Sequence, residues 1–219
     1  NVYHGIDLNR FALNKQPGDY LIYMGRIIQP KGVHYAIASA KKLGLKLKIA
    51  GKHYAGHSKD RYWQEFIEPE IDGDQIEYVG FIKTDQAKQQ LLGKALALLM
   101  PSVWQEPFGL VSLEAMACGT PVVGFNQGGV SEIIEVGQSG WLADYLLEKK
   151  IYKNGKNVDQ SWDQLKLDQD FQENVSRLSD NIKKVDTIDR SDCRKYVEEN
   201  FSIEKMCQGY EQIYQKLAE

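Results

Sequence analysis

Short apolar runs alternate with stretches whose apolar residues recur every three or four positions. The runs YLIYM (20–24), LKLKIAG (45–51), QIEYVG (75–80), ALALLM (95–100) and PVVGF (121–125) end at or beside glycine, proline or loop residues. Such runs mark strands buried on both faces. Between them, KGVHYAIASAKKLG places Val33, Ile37 and Ala40 on one helical face and closes on Gly44. DRYWQEFIEPEI spaces Trp63, Phe66 and Ile67 in the same way, and TDQAKQQLLG opens on a Thr84 cap and closes on Gly93. Alternation of strand and helix requires parallel pairing through crossover helices, so the expected fold is α/β: a Rossmann-like, doubly wound parallel sheet with flanking helices. In such a sheet a ligand sits beyond the carboxyl ends of the strands, where the strand order reverses.

From Asp144 the texture changes. LLEKKIYKNGKNVDQSWDQLKLDQD is polar, lysine-rich and weakly periodic, and reads as an insertion or loop over 144–170. Helical patterns return in FQENVSRLSDNIKK, RSDCRKYVEENF and SIEKMCQGYEQIYQKLAE, giving C-terminal helices of the same domain over 171–219. At the other end the chain opens on Asn1, and NVYHGIDLNRF reads as part of a linker (1–19) ahead of a core over 20–143. The expectation is a piece cut from a longer protein.

Composition narrows the class further. A chain of 219 residues, 42% hydrophobic and 26% charged, can fill one well-cored domain. Lys+Arg 27 against Asp+Glu 30 gives a net charge of −3, without the basic surplus of a nucleic-acid binder, so any anion must be held by a local cluster. The longest apolar run, Ala95 to Pro101, is far shorter than the roughly 18 residues of a membrane span, and no signal-peptide pattern opens the chain. Cys118, Cys193 and Cys207 lie far apart with no C-x-x-C spacing, which sets aside a disulfide framework and a zinc site and points to the cytoplasm.

Two loops carry candidate chemistry. After the first strand, GRIIQPKG brings Gly25, Arg26 and Lys31 to the point where Pro30 marks a helix start. Two cations beside the positive end of a helix make a cradle for a diphosphate; the plain alternative is a solvated pair. Strict G-x-G-x-x-G and G-x-x-x-x-G-K-[ST] patterns are absent. After the fourth strand, PSVWQEPFG leads into a helix expected from Pro107 to Cys118, stopped by Gly119 and Pro121. Glu106 then precedes the helix and Glu114 lies two turns inside it, on a side shared with Leu110, Val111, Ala117 and Cys118. A carboxylate there needs a partner, because desolvating an unpaired charge costs several kcal/mol. Separated by roughly 12 Å if the span were helical, the two are too far apart for a glycosidase acid and nucleophile, which stand about 5 to 9.5 Å apart. They suit a long ligand with hydroxyl donors at both ends of a diphosphate.

Weaker signals have ordinary readings. Asp72-Gly73-Asp74 precedes a strand and reads as a turn rather than a metal site; His53 and His57 lack the Glu of H-E-x-x-H and read as a surface loop; Asn126-Gln127-Gly128-Gly129, with Glu132 after it, reads as a turn opening a helix.

The segment EPFGLVSLE followed by AMACGTPVV resembles the E-x7-E signature of retaining family-4 glycosyltransferases of the GT-B fold, and MGRIIQPKG and YVGF resemble that family's other landmarks. The likeness covers about residues 1–143 and resumes at RKYVEENFS and the closing helix. It implies that Glu106 contacts hydroxyls of the donor sugar, that Glu114 holds the nucleotide ribose, and that Arg26 and Lys31 neutralise the departing diphosphate, with Gly25 in the same loop. Backbone amides at Phe108, Gly109, Leu110 and Val111 would meet the phosphates or the sugar, and Gly80 and Phe81 would flank the base. His4 and Gly5 resemble the segment leading out of the interdomain linker. No metal or cofactor is implied, and the partners implied are a nucleotide sugar and an acceptor bound through an N-terminal domain absent here. The isolated chain would bind nucleotide and transfer nothing. A GT-B nucleotide-sugar epimerase and a non-catalytic nucleotide- or sugar-binding module are the alternatives; turnover with and without acceptor separates them. The polar stretch from about 145 to 170 is longer than the family's usual connection.

Overall fold

The computed structural model describes residues 1–53, 60–146, 152–153, 156–157 and 161–218. Five strands form where apolar runs predict them: Tyr20–Met24 (β1), Lys46–Ala50 (β2), Ile76–Gly80 (β3), Ala95–Met100 (β4) and Val122–Phe125 (β5). A sixth, Gly140–Ala143 (β6), was not expected. All pair in parallel, in the order β3-β2-β1-β4-β5-β6. The chain therefore starts mid-sheet, winds outward to β3 and returns to the other side of β1, so the order reverses between β1 and β4.

Strand alternation sorts the core into two layers. Leu21 and Tyr23 of β1 and Ala97 and Leu99 of β4 face one layer; Tyr20, Ile22, Leu98 and Met100 face the other. The first layer is closed by Val33–Leu43 (α1) and, after Asp85–Gly93 (α2), Leu110–Ala117 (α3), Val130–Ile133 (α4) and Trp162–Lys166 (α5), by Gln169–Ile182 (α6), whose Phe171, Val175, Leu178 and Ile182 are buried. The second layer holds α3 and Arg190–Asn200 (α7), through Leu113, Met116, Cys193 and Val197. The last helix, Ile203–Ala218 (α8), has no buried residue.

Several expectations need correcting. The helix after Pro107 starts later, at Leu110, because Gly109 at φ 91° turns the chain into it, so Glu106 lies well outside the helix and Glu114 only about one turn inside. Pro30 sits in a short 3-10 turn, Gln29–Lys31, and α1 begins at Val33. Trp63–Ile67 is a π-helical turn followed by the 3-10 turn Glu68–Glu70 around Pro69, rather than an α-helix. The polar stretch is not loop throughout: Ser161 and Gln164 form a capping box that starts α5, and α5 buries Trp162 and Leu165. Upstream the two-residue strands Tyr152–Lys153 and Lys156–Asn157 pair antiparallel. The segment expected as a linker packs onto the domain: Ile6 and Phe11 are buried, and the amides of Ile6 and Asn14 donate to the carbonyls of Phe201 and Cys118.

Candidate functional site

A pocket of ≈ 600 Å³ opens beyond the carboxyl ends of β1 to β4, at the reversal of strand order. The loop after β1 contributes Gly25, Arg26 and Lys31; that after β2, Gly51 and Lys52; that after β3, Phe81 and Ile82; that after β4, Ser102 and Glu106 to Gly109. Leu110, Val111 and Glu114 of α3, Lys88 of α2 and His4 complete the lining. Every candidate site residue is among these except Gly80, which lies beside Phe81 at φ 78°.

The loops are held together by close backbone approaches. A β-carbon on Gly51 would stand 1.8 Å from the Gly25 carbonyl oxygen, and one on Gly32 would stand 1.9 Å from that of Pro101. The Val103 amide donates to the Pro30 carbonyl at 2.9 Å, so the loops after β1 and β4 are laced together and Lys31 is brought to Glu106. Tyr23 donates its hydroxyl to the Arg26 carbonyl at 2.7 Å, fixing the first loop from below.

Glu106 is 7% exposed, and its carboxylate is satisfied on one side. Lys31 Nζ donates to Oε2, as do Ser102 Oγ at 3.3 Å and Trp104 Nε1 at 3.1 Å. The Lys31 ammonium also stands 5.0 Å from the centre of the Trp104 ring. The glycine turn before α4 braces this loop: Gly129 donates its amide to the Glu106 carbonyl at 2.6 Å. Glu114 answers the question of a charge in an apolar helix, since its Oε1 accepts from Lys88 Nζ at 2.7 Å at the pocket wall. Leu110 and Val111, the first residues of α3, line the same space, and the amides that open a helix have no acceptor one turn back within it.

Charge in the pocket opposes that of the chain. Arg26, Lys31, Lys52 and Lys88 face Glu106 and Glu114, on a protein of net charge −3. Two lysines are committed to the two carboxylates, Lys52 lies 4.2 Å from the centre of the Phe81 ring, and Arg26 is exposed with no ion pair among the described residues. The arrangement can bind an anion between Arg26, Lys31 and the start of α3, with carboxylate acceptors for hydroxyl donors on either side.

Sequence reasoning missed Lys52, Lys88, Ser102 and Trp104. Lys52 lies two residues past the carboxyl end of β2 and was within reach of the strand-end rule. Lys88 lies on a helix rich in polar residues, where nothing in the local pattern singles it out. Elsewhere, Asp72 Oδ1 accepts from the amides of Asp74 and Ile76, which is turn chemistry. His53 stacks on Trp63 at 4.0 Å and bonds Asp60 at 2.9 Å, whereas His57 lies outside the described residues. The Gly128-Gly129 turn does open a helix, α4. Burial pushes the thiols of Cys118 and Cys193 up to about 12, which removes them as nucleophiles. No helix among the described residues is long and apolar enough to cross a membrane.

Comparison with known proteins agrees with this geometry. The sequence pattern of the family described as Glycosyl transferases group 1 matches residues 6–181. A glycogen synthase of Mycobacterium tuberculosis is 38% identical over 149 residues, 64% of this chain and 34% of that protein. An uncharacterized glycosyltransferase of Methanocaldococcus jannaschii is 24% identical over 100% of this chain and 54% of its own length. Among solved structures, the sucrose-phosphate synthase of Thermosynechococcus elongatus superposes with TM-score 0.73 at 22% identity, over 99% of this chain and 52% of that one. Anabaena HepE, solved in complex with UDP and glucose, gives 0.70 at 21%, over 99% and 56%. The chain thus spans about a third to a half of these relatives' lengths. The family pattern runs through the sheet and the pocket loops and the fold is that of GT-B enzymes, so the chain belongs to the group 1 glycosyltransferases.

Proposed function

We propose that this chain binds a nucleoside-diphosphate sugar and is the donor-binding half of a retaining glycosyltransferase. The observation that carries the reading is the convergence of Arg26, Lys31 and the first residues of α3 on one pocket that Glu106 and Glu114 also line. The diphosphate lies against the two cations and the helix start. Glu106 accepts from hydroxyls of the transferred sugar and Glu114 from the ribose, while Gly80 and Phe81, with Gly25 nearby, border the base and the first phosphate. The bound UDP and glucose of HepE support a nucleotide sugar as the ligand class.

In the reaction an acceptor hydroxyl attacks the anomeric carbon with net retention as the bond to the diphosphate breaks. Negative charge grows on the leaving group, and Arg26, Lys31 and the α3 amides stabilise it without metal; removing one such donor costs about a hundredfold or more in rate. The acceptor is reached through a further domain of the kind that makes these relatives longer, so this chain alone transfers nothing. Reduced Cys118, Cys193 and Cys207 suit the cytoplasm.

Calorimetric titration of the chain with UDP, GDP, ADP and their sugar conjugates, in EDTA, tests the reading. One nucleotide should bind, survive EDTA, and be lost in Glu114→Ala and in the Arg26→Ala, Lys31→Ala double variant. Binding that disappears with EDTA, or no binding by any nucleotide, would sink it.

A further inference from the structure

The chain's own side chains compete for the cation assigned to the diphosphate. Lys31 Nζ is bonded to Glu106 Oε2, an acid 7% exposed, and is packed over the Trp104 ring. All three donors to Glu106, from Lys31, Ser102 and Trp104, converge on Oε2, and Oε1 takes none from the described residues. Glu106 therefore has one oxygen anchored and one open toward the pocket it lines.

We propose that this exchange makes the pocket discriminate an intact diphosphate sugar from the bare nucleoside diphosphate, with Glu106 as the specificity-determining residue. The inference rests on the reading that the pocket takes a nucleotide sugar. A diphosphate seeking Lys31 draws the ammonium away from a shielded carboxylate and brings a second anion close to it. Ser102 and Trp104 keep Oε2 in place, but with the ammonium drawn off they are its remaining donors among the described residues and Oε1 has none. When a sugar is attached, its hydroxyls donate to the open Oε1, Glu106 is compensated, and Lys31 is free to serve the phosphates. When the sugar has gone, that compensation goes with it. Glu106 reclaims Lys31 and the nucleoside diphosphate is loosened. The two ends of the donor are thus coupled through one ammonium, and the product is bound less tightly than the substrate for a reason built into the pocket.

Glu106→Gln separates this from a simple loss of contact, because a lost contact cannot tighten binding of the bare diphosphate. Calorimetry on the chain uses the nucleoside diphosphate found to bind, and its matching sugar conjugate. The diphosphate should bind Glu106→Gln about fivefold tighter than wild type or better, a typical coupling between sites, while the conjugate's advantage over the bare diphosphate shrinks. In a Lys31→Met background, where nothing is left to compete for, Glu106→Gln should give no gain. Should Glu106→Gln fold poorly, Glu106→Asp, whose carboxylate is drawn back by one methylene, carries the same test. The proposal is overturned if the diphosphate binds Glu106→Gln no tighter than wild type, if the gain persists without Lys31, or if wild type shows no preference for the conjugate. Nucleotide binding that is lost in Glu114→Ala but not strengthened by Glu106→Gln leaves the nucleotide-sugar reading standing and removes only this coupling; no binding at all removes both.

Discussion

At the scale of single residues, the position of Glu106 is set by a glycine twenty-two places later in the chain. Gly128 stands at φ 59°, and a β-carbon there would lie 2.5 Å from both the amide nitrogen and the carbonyl oxygen of Glu106. Gly128→Ala therefore adds left-handed strain of about 1 kcal/mol and also pushes the loop that carries Glu106. Binding of a diphosphate sugar is expected to weaken about tenfold or more, since small misplacements of a positioned group are costly. Gly73→Ala is the control: Gly73 has a comparable φ of 77° but nothing within 4 Å of an added β-carbon, so the strain is matched and binding should not change. Equal losses in both variants would mean that strain, not the Glu106 loop, is what matters. The sequence announced Glu106 and Glu114 through their spacing and their apolar surroundings, but not their partners. Lys88 reaches Glu114 through a contact between separate elements, which no local pattern encodes, and Trp104 bonds Glu106 from two places earlier in the same loop.

At the scale of elements, five strands and the main helices follow from periodicity because each is buried as a run or as a face. β6 escaped because GWLA is four residues long, lies at the sheet edge and is only half-buried at its two central positions. The late start of α3 escaped because Pro107 is a plausible first helical residue, and only the left-handed Gly109 shows where the turn falls. Arg190 escaped as well, because a charge at the start of a polar helical pattern gives no sign that it is buried. It is buried, and its guanidinium donates to the carbonyls of Asn14 at 2.7 Å, Gly93 at 2.6 Å and Ala95 at 2.9 Å and to Thr120 Oγ1 at 2.6 Å. One planar fork thus ties the N-terminal segment, α2, β4 and the turn after α3 to α7. Arg190→Met leaves those acceptors without their donor and is expected to cost about 3 kcal/mol by urea unfolding. Arg190→Lys should recover little, because a single ammonium cannot span the same four acceptors. The Asn14 amide, which donates to the Cys118 carbonyl at 3.0 Å, should exchange faster with solvent in both variants. Full stability in Arg190→Lys would show that charge rather than the fork holds these elements.

At the scale of the whole molecule, the sheet separates two cores, and a histidine packed against the one under α1 and α6 couples folding to mild acid. His34 is 2% exposed, with its ring 4.5 Å from that of Tyr35, 6.0 Å from Phe171 and 6.1 Å from Trp162. Its Nδ1 meets the Tyr62 hydroxyl at 2.7 Å, and its buried Nε2 has no partner among the described residues. Burial without an anion lowers its pKa to about 3. The sign follows from which state holds the proton. Between about 6.5, where an unfolded histidine titrates, and 3, the unfolded chain binds a proton that the folded chain refuses, so stability must fall as pH falls through that window. The limiting slope is about 1.4 kcal/mol per pH unit, and above pH 7 the effect vanishes. Glu70, which burial would raise but Lys41 and Trp162 hold below its usual value, titrates in stronger acid, and His4, His53 and His57 are common to wild type and a His34 variant, so the difference between the two over pH 7 to 5 reports His34. Urea unfolding at the two pH values should show wild type losing about 2 kcal/mol more than His34→Phe, a variant that keeps a ring in the cluster and has nothing to protonate. Removing the bond to Tyr62 shifts that variant's stability equally at both values and leaves the difference intact. A wild type that loses no more than the variant over this range would mean that the folded protein accepts the proton after all, and that the packing around His34 opens to water.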